Sequence, residues 1–168
     1  MTHKKIGIVM GSDSDLVTMK EAIRILREFE VGCDVHVMSA HRSPETVHAF
    51  AMEAEKKYDV IIAAAGGAAH LAGVVASLTP IPVIGVPMQT AGLGGLDSLL
   101  STVQMPAGIP VATLGIGKSG AVNAALLAVQ IISTSEPKLR EKFVQYKKKL
   151  ADEVVKKDRA VQAELGLL

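Results

Sequence analysis

The chain has 168 residues, 49% of them hydrophobic but only 3% aromatic, with no Trp and a formal charge of +1. So balanced a charge gives nucleic acid or an anionic membrane no electrostatic hold, and the apolar stretches, cut by Gly and Pro, are too short to span a bilayer. One domain is expected at this length, with a core of Val, Ile, Leu, Ala and Met.

Lys4 and Lys5 run directly into a β-branched stretch at 6–10, which predicts a strand and no secretion signal. The patch Gly11-Ser12-Asp13-Ser14-Asp15 follows. A helix is then predicted from Leu16, Met19, Ile23, Leu26 and Phe29, spaced by three and four. Cys33, the one cysteine, has no partner for an internal disulfide, which fits a reducing cytoplasm, and no neighbour marks it as a nucleophile. A second strand is predicted at 35–38, then Ser39-Ala40-His41-Arg42-Ser43-Pro44, with Ser43 placed as helix N-cap and Pro44 at the first helical position. The third strand, 60–64, leads into Gly66-Gly67-Ala68-Ala69-His70 and a helix from about 69 to 77.

A fourth strand is predicted at 82–86. The stretch 87–110 is punctuated by Gly92, Gly94, Gly95 and Gly108 around a short helix near 96–103, and long connections of this kind are usually functional. A fifth strand is expected at 111–114. The helix predicted at 120–133 is apolar on almost every face, Asn123 and Gln130 excepted. Such a helix must be buried all round, which in a domain this small predicts a second subunit. The tail from 136 to about 165 reads as a charged helix with Leu139, Phe143, Tyr146, Leu150 and Val154 on one stripe, completing a single catalytic domain whose α/β core spans about 6–133.

Alternating strands and helices predict a doubly wound α/β fold of flavodoxin-like or Rossmann-like type with right-handed crossovers. The first three strands are expected to be buried, with a polar patch at the carboxyl end of each, where open α/β sheets bind ligands. The helix start at 11–15 is an anion site in which Ser12 and Ser14 can donate to phosphate and Asp15 can accept from ribose hydroxyls. Capping accounts for one polar residue there, and four exceed it. His41 can exchange protons near neutral pH, Arg42 can clamp phosphate, and Ser39 adds a hydroxyl. The small residues Gly66, Gly67, Ala68 and Ala69 expose backbone N–H groups for a carboxylate or oxyanion, although close helix–sheet packing also demands them. His3, His36 and His48 lack such settings, and the histidine spacing predicts no metal. Gly115-Ile116-Gly117-Lys118-Ser119-Gly120 matches G-x-G-x-x-G, but the acidic residue on a following strand is lacking, and close packing explains the glycines as well.

Together the first three patches, with Asp97-Ser98-Leu99, Val103-Gln104-Met105-Pro106 and 108–113, resemble the PurE family of N5-carboxyaminoimidazole ribonucleotide mutases, class I, over about 6–133. The resemblance implies a flavodoxin-like three-layer α/β/α sandwich with a central parallel sheet and a C-terminal helix, assembled as a homo-octamer in the cytoplasm. It implies transfer of a carboxyl group from N5 to C4 of an aminoimidazole ribonucleotide in purine biosynthesis, without cofactor or metal, coupled to the enzyme that supplies that substrate. In it, His41 is the general acid/base and His70 the second catalytic residue. Ser12, Ser14, Asp15, Ser39 and Arg42 bind the ribonucleotide, while Gly66, Gly67, Ala68, Ala69 and His70 shape the CO2 pocket and the loop 91–99 covers it. Ala72 departs from the family's usual Pro. The alternatives are a carboxylase acting directly on aminoimidazole ribonucleotide with CO2, and a flavin- or nucleotide-binding module without catalysis. Arg42 and the 66–70 run favour the mutase.

Overall fold

The computed structural model describes residues 5–167, so Lys4 and His3 lie outside the described residues. Five strands form one all-parallel sheet: β1 (Lys5–Met10), β2 (Gly32–Val37), β3 (Val60–Ala65), β4 (Val83–Pro87) and β5 (Ala112–Thr113), in the order 2-1-3-4-5. The helices between them are α1 (Leu16–Glu28), α2 (Pro44–Glu53), α3 (Leu71–Leu78) and α4 (Leu96–Val103), followed by α5 (Lys118–Ser133) and α6 (Pro137–Glu164). Residues up to Ile132 form one compact unit and those from Ser133 a second. Among the described residues no helix is long and apolar enough to cross a membrane.

The chain leaves β1 toward one edge of the sheet and then returns past it to build β3, β4 and β5 on the other side. Right-handed crossovers therefore put α1 on one face and α2, α3 and α4 on the opposite one. Side chains alternate between faces along each strand. Val9, Ile61, Ala63, Ala65 and Val83 join Val47 and Ala51 of α2 and Leu71, Ala72 and Val75 of α3 in one core, while Ile6, Ile8 and Met10 turn to the other face and are at most 1% exposed. Each large aliphatic chain so buried contributes about 1.5–3 kcal/mol relative to exposure.

Several sequence expectations need correction. The second strand is an edge strand, with Val35 38% and Val37 54% exposed, so the apolar run 35–38 is not buried throughout. The alternation reads the same whether one or two neighbours flank a strand, and only strand order decides. Met38 ends the run by donating to the Met10 carbonyl (2.9 Å). In α1 the buried residues include Ala22 and Ile25, whereas Leu16 is exposed and Ile23 is half-buried. The fifth strand keeps only two residues, between Pro110, which has no N–H to donate, and the bend and turn at Ile116 and Gly117. In α6, Leu150 and Val154 are exposed, and only Leu139 and Phe143 of the expected stripe are buried. Helix α5 buries its alanines Ala121, Ala124, Ala125 and Ala128 but leaves Val122, Leu126 and Leu127 half-exposed.

The G-x-G-x-x-G match is a packing device. The Gly117 amide donates to the Pro87 carbonyl (2.9 Å), and a Cβ on Gly120 would sit 1.6 Å from the Gly115 carbonyl oxygen. Backbone cannot yield there, so Gly120→Ala is expected to destabilise the fold by at least ~1–3 kcal/mol, read as a lowered urea midpoint.

At the β1–β2 edge, the Lys5 ammonium lies 2.7 Å from the Asp34 carboxylate and holds it below the ordinary carboxylate range, and the Tyr58 hydroxyl donates to the same oxygen (3.1 Å). Burial first, then the Asp34 hydrogen bond and charge, push Tyr58 up from 10.0 to about 12. The folded chain holds this proton more tightly than the unfolded chain, so the resulting stability is complete below pH 10.0 and disappears as pH rises through about 12. Tyr58→Phe is expected to flatten the fall in Tm between pH 10.0 and about 12, measured by thermal melts.

Candidate functional site

Strand order reverses direction between β1 and β3, and the crevice outside the carboxyl ends at such a point is where doubly wound sheets bind ligands. The loops leaving β1, β2 and β3 converge there on a cavity of about 410 Å³, within the range of small-molecule sites. A second hollow of about 380 Å³ shares Gly11, Ser12, Ser39 and Arg42 with it.

The first loop is anchored where the Gly11 amide donates to the Ala64 carbonyl of β3 (2.9 Å). Ser12 opens a 3-10 turn that feeds α1. Its hydroxyl oxygen accepts from the Ser14 amide (3.3 Å) and the Ser14 hydroxyl (2.8 Å), and the Asp15 carboxylate accepts from the Ser12 amide (3.2 Å). Capping thus occupies Asp15 Oδ2, and both Ser12 and Asp15 still line the cavity. Half-burial raises the Asp15 carboxyl above its ordinary value, chiefly by desolvation, against the lowering effect of the Ser12 amide.

In the second loop Ser39 Oγ accepts from the amides of His41 (3.3 Å) and Arg42 (3.2 Å), folding the turn that presents both side chains. Ser43 is the N-cap of α2 with Pro44 at its first position, as expected, and its carbonyl accepts from the Val47 amide (3.2 Å), but its side chain does not cap the helix. Its hydroxyl accepts from the Ser39 amide (2.9 Å) and donates to the Ser39 carbonyl (3.2 Å), because the turn itself needs those partners. Arg42 Nη2 donates to the Gly11 carbonyl (3.0 Å), tying the second loop to the first. That bond uses one of five guanidinium donors, and the rest can serve an anion in either hollow.

The third loop differs from the sequence expectation. Gly66 and Ala68 line the cavity, but Gly67 and Ala69 do not. Ala69 is 1% exposed and belongs to the core, and the Gly67 amide donates to Ser98 Oγ (2.9 Å) instead of facing a ligand. The amides of Ala69 and His70 are likewise taken, by the carbonyls of Gly67 and Ala68. The loop ends at His70, the residue before α3, whose Nδ1 lies 2.9 Å from Nε2 of His41, ring edge to ring face. This contact requires one ring to donate and the other to accept. It leaves the outer nitrogen of each ring, His41 Nδ1 and His70 Nε2, to meet a ligand or exchange its proton.

All of Ser12, Ser14, Asp15, Ser39, His41, Arg42, Gly66, Ala68 and His70 line this one cavity. His36 and His48 stand elsewhere, His36 against the Phe50 ring. Sequence reading missed Leu71, Met88 and Gln89, which also line it. Met88 and Gln89 follow the fourth apolar run, so the rule that found the other patches would have found them had it been applied to β4.

Residues 5–153 match the family model described as AIR carboxylase. The chain is 60% identical over 144 residues to the N5-carboxyaminoimidazole ribonucleotide mutase of Pyrococcus abyssi, covering 85% of this chain and 82% of that one. It is 52% identical over 165 residues to the mutase of Mycobacterium tuberculosis, covering 98% and 94%. The crystal structure of Treponema denticola PurE superposes with a TM-score of 0.86 at 26% identity, over 95% of this chain and 99% of that one.

Asp15 can be tested without any ligand. Its folded-state proton affinity exceeds the unfolded one, so the ionised carboxylate costs stability at neutral pH, and that cost is relieved as pH falls through the folded-state pKa. Asp15→Asn keeps an acceptor for the Ser12 amide and is expected to leave Tm at neutral pH unchanged or raised. A fall of several degrees would show that the charge serves the helix cap.

Proposed function

The chain belongs to the AIR carboxylase family, and from that membership we infer that it is an enzyme of purine biosynthesis converting N5-carboxyaminoimidazole ribonucleotide to 4-carboxy-5-aminoimidazole ribonucleotide. The observation that carries the reading of the site is the meeting of His41 and His70 at 2.9 Å over a cavity lined by Ser12, Asp15 and Arg42.

In this reading the ribonucleotide binds with its phosphate and ribose among Ser12, Ser14, Asp15, Ser39 and Arg42, and with its base toward the histidine pair. The N5–carboxylate bond breaks, releasing CO2 and leaving its electron pair on nitrogen, which takes a proton from His41. The enamine-like C4 then attacks the trapped CO2 through its π electrons, and His41, now a base, removes the C4 proton and restores the ring. One proton is given and one recovered, so the residue ends as it began. Gly66 and Ala68, without bulky side chains, leave room for CO2, and Ala68 can offer its amide to the carboxylate. His70 holds His41 in one tautomer through the contact between the rings. Escape of CO2 would abort the transfer, and the exposed turn 91–94, ahead of the seated helix α4, is the part of the expected covering segment 91–99 assigned as the cover.

The same reading makes the enzyme a homo-oligomer, an octamer by family resemblance, in the cytoplasm and dependent on the enzyme that supplies its substrate. Support comes from apolar surface with no partner in one chain: Leu96, Leu100 and Val103 are 47–50% exposed on one side of α4, and α5 keeps half-exposed Val122, Leu126 and Leu127. Light scattering on the purified protein checks this, and a monomer at micromolar concentration would refute it.

His41→Asn is expected to bind the ribonucleotide with affinity within a fewfold of wild type while kcat falls by roughly 10²–10⁴. Calorimetry and a progress assay at the C4 acid measure the two. Supplying aminoimidazole ribonucleotide with bicarbonate instead of the N5-carboxylated compound separates direct carboxylation: efficient turnover of the former alone would overturn the mutase assignment.

A further inference from the structure

Helix α4 reaches into the active-site loop without lining the cavity. Ser98 is 0% exposed and Thr102 only 3%, and the two are joined by a bond from Thr102 Oγ1 to the Ser98 carbonyl (2.7 Å). At Gly67 the helix takes hold of the backbone from both sides. Ser98 Oγ accepts from the Gly67 amide (2.9 Å), and Ser101 Oγ donates to the Gly67 carbonyl (3.2 Å). Gly67 sits at φ +68°, a conformation that glycine adopts without steric cost, and no side chain comes within 4 Å of where its Cβ would be. The loop conformation therefore owes little to packing at this point and much to hydrogen bonds: the two hydroxyls from α4, with the Ala69 amide as a second donor to the Gly67 carbonyl (2.8 Å).

The helix that supplies them is itself seated firmly. A Cβ on Gly85 of β4 would lie 2.5 Å from Thr102 Cγ2, so α4 rests directly on the strand backbone. At its start, Thr90 Oγ1 donates to Asp97 Oδ1 (2.7 Å) and accepts from the Gly95 amide (3.1 Å). A rigid support thus ends in two hydroxyls that grip one residue, and that residue lies between Gly66 and Ala68 of the cavity wall and three positions before His70.

We propose that Ser98 and Ser101 are positioning residues: by holding both backbone polar groups of Gly67 they set where Ala68 and His70 stand against His41. The proposal rests on the functional reading above for its effect on turnover, but not for its effect on the histidine pair. Reactions that depend on aligned groups lose up to roughly 10²-fold on a displacement of about 1 Å, so a loosened loop costs rate while the phosphate and ribose contacts, on other loops, are untouched.

The decisive variant is Ser101→Ala, because Ser101 is half-exposed and its loss leaves no buried donor stranded. Three measurements are taken on it: kcat and KM with N5-carboxyaminoimidazole ribonucleotide, the imidazole 15N shifts of His41 and His70 in the ligand-free protein, and Tm. The expected result is a fall in kcat of about tenfold with KM within about twofold, and moved ring shifts. Ser101→Thr, which keeps the hydroxyl, is expected to restore both. Ser98→Ala is expected to give the larger effect if it folds, and if it does not, Ser101→Ala alone decides. Wild-type kcat, or ring shifts that do not move, overturns the proposal whatever happens to Tm. Should the wild-type protein fail to turn over the substrate, the functional reading falls, and the ring shifts then decide the clamp by themselves.

Discussion

The pairing of β1 with β3 is the constraint on which the rest hangs. These strands are distant in sequence, run parallel in register from Ile6 opposite Val60 to Met10 opposite Ala64, and end together, where the Gly11 amide closes the last rung on Ala64. Because the chain has gone one way to make β2 and returns the other way after β3, no helix covers the gap between the two loops at that end. The crevice is a consequence of topology before any polar side chain is placed in it.

Polar groups around this crevice mostly satisfy one another. Ser39 and Ser43 exchange hydrogen bonds to fold one turn, Ser12, Ser14 and Asp15 do so in another, and Arg42 joins the two through the Gly11 carbonyl. Residues that read as ligand donors are thus also the frame that holds the donors still, which is what preorganisation requires. Asp15 carries both sides of this arrangement: its carboxylate accepts from the Ser12 amide, while its burial raises its proton affinity above the ordinary value.

The opposite surface of α4 carries Leu96, Leu100 and Val103 in the open, while the inner one grips Gly67 through hydroxyls. One short helix therefore connects an apolar outer face to the wall of the cavity.

The alternating strands and helices, their order, and the three polar patches were legible from residue pattern, because apolar periodicity and loop chemistry are local properties. The helix near 96–103 is legible in the same way, and of the run 11–15 Gly11, Ser12, Ser14 and Asp15 line the cavity together with His41 and Arg42, while Asp13 does not. What local pattern could not reveal was direction and neighbourhood. It did not show that the run 35–38 lies on an edge, that the Ser43 hydroxyl serves Ser39 while only its backbone caps α2, or that Ala69 turns into the core while Ala68 turns outward. Nor could it show that the amide of Gly67 belongs to Ser98, 31 residues away. Hydrogen-bond partners across such distances are chosen by how strands order and helices dock, so tertiary structure alone decided which of the candidate groups face a ligand and which are spent on holding the others in place.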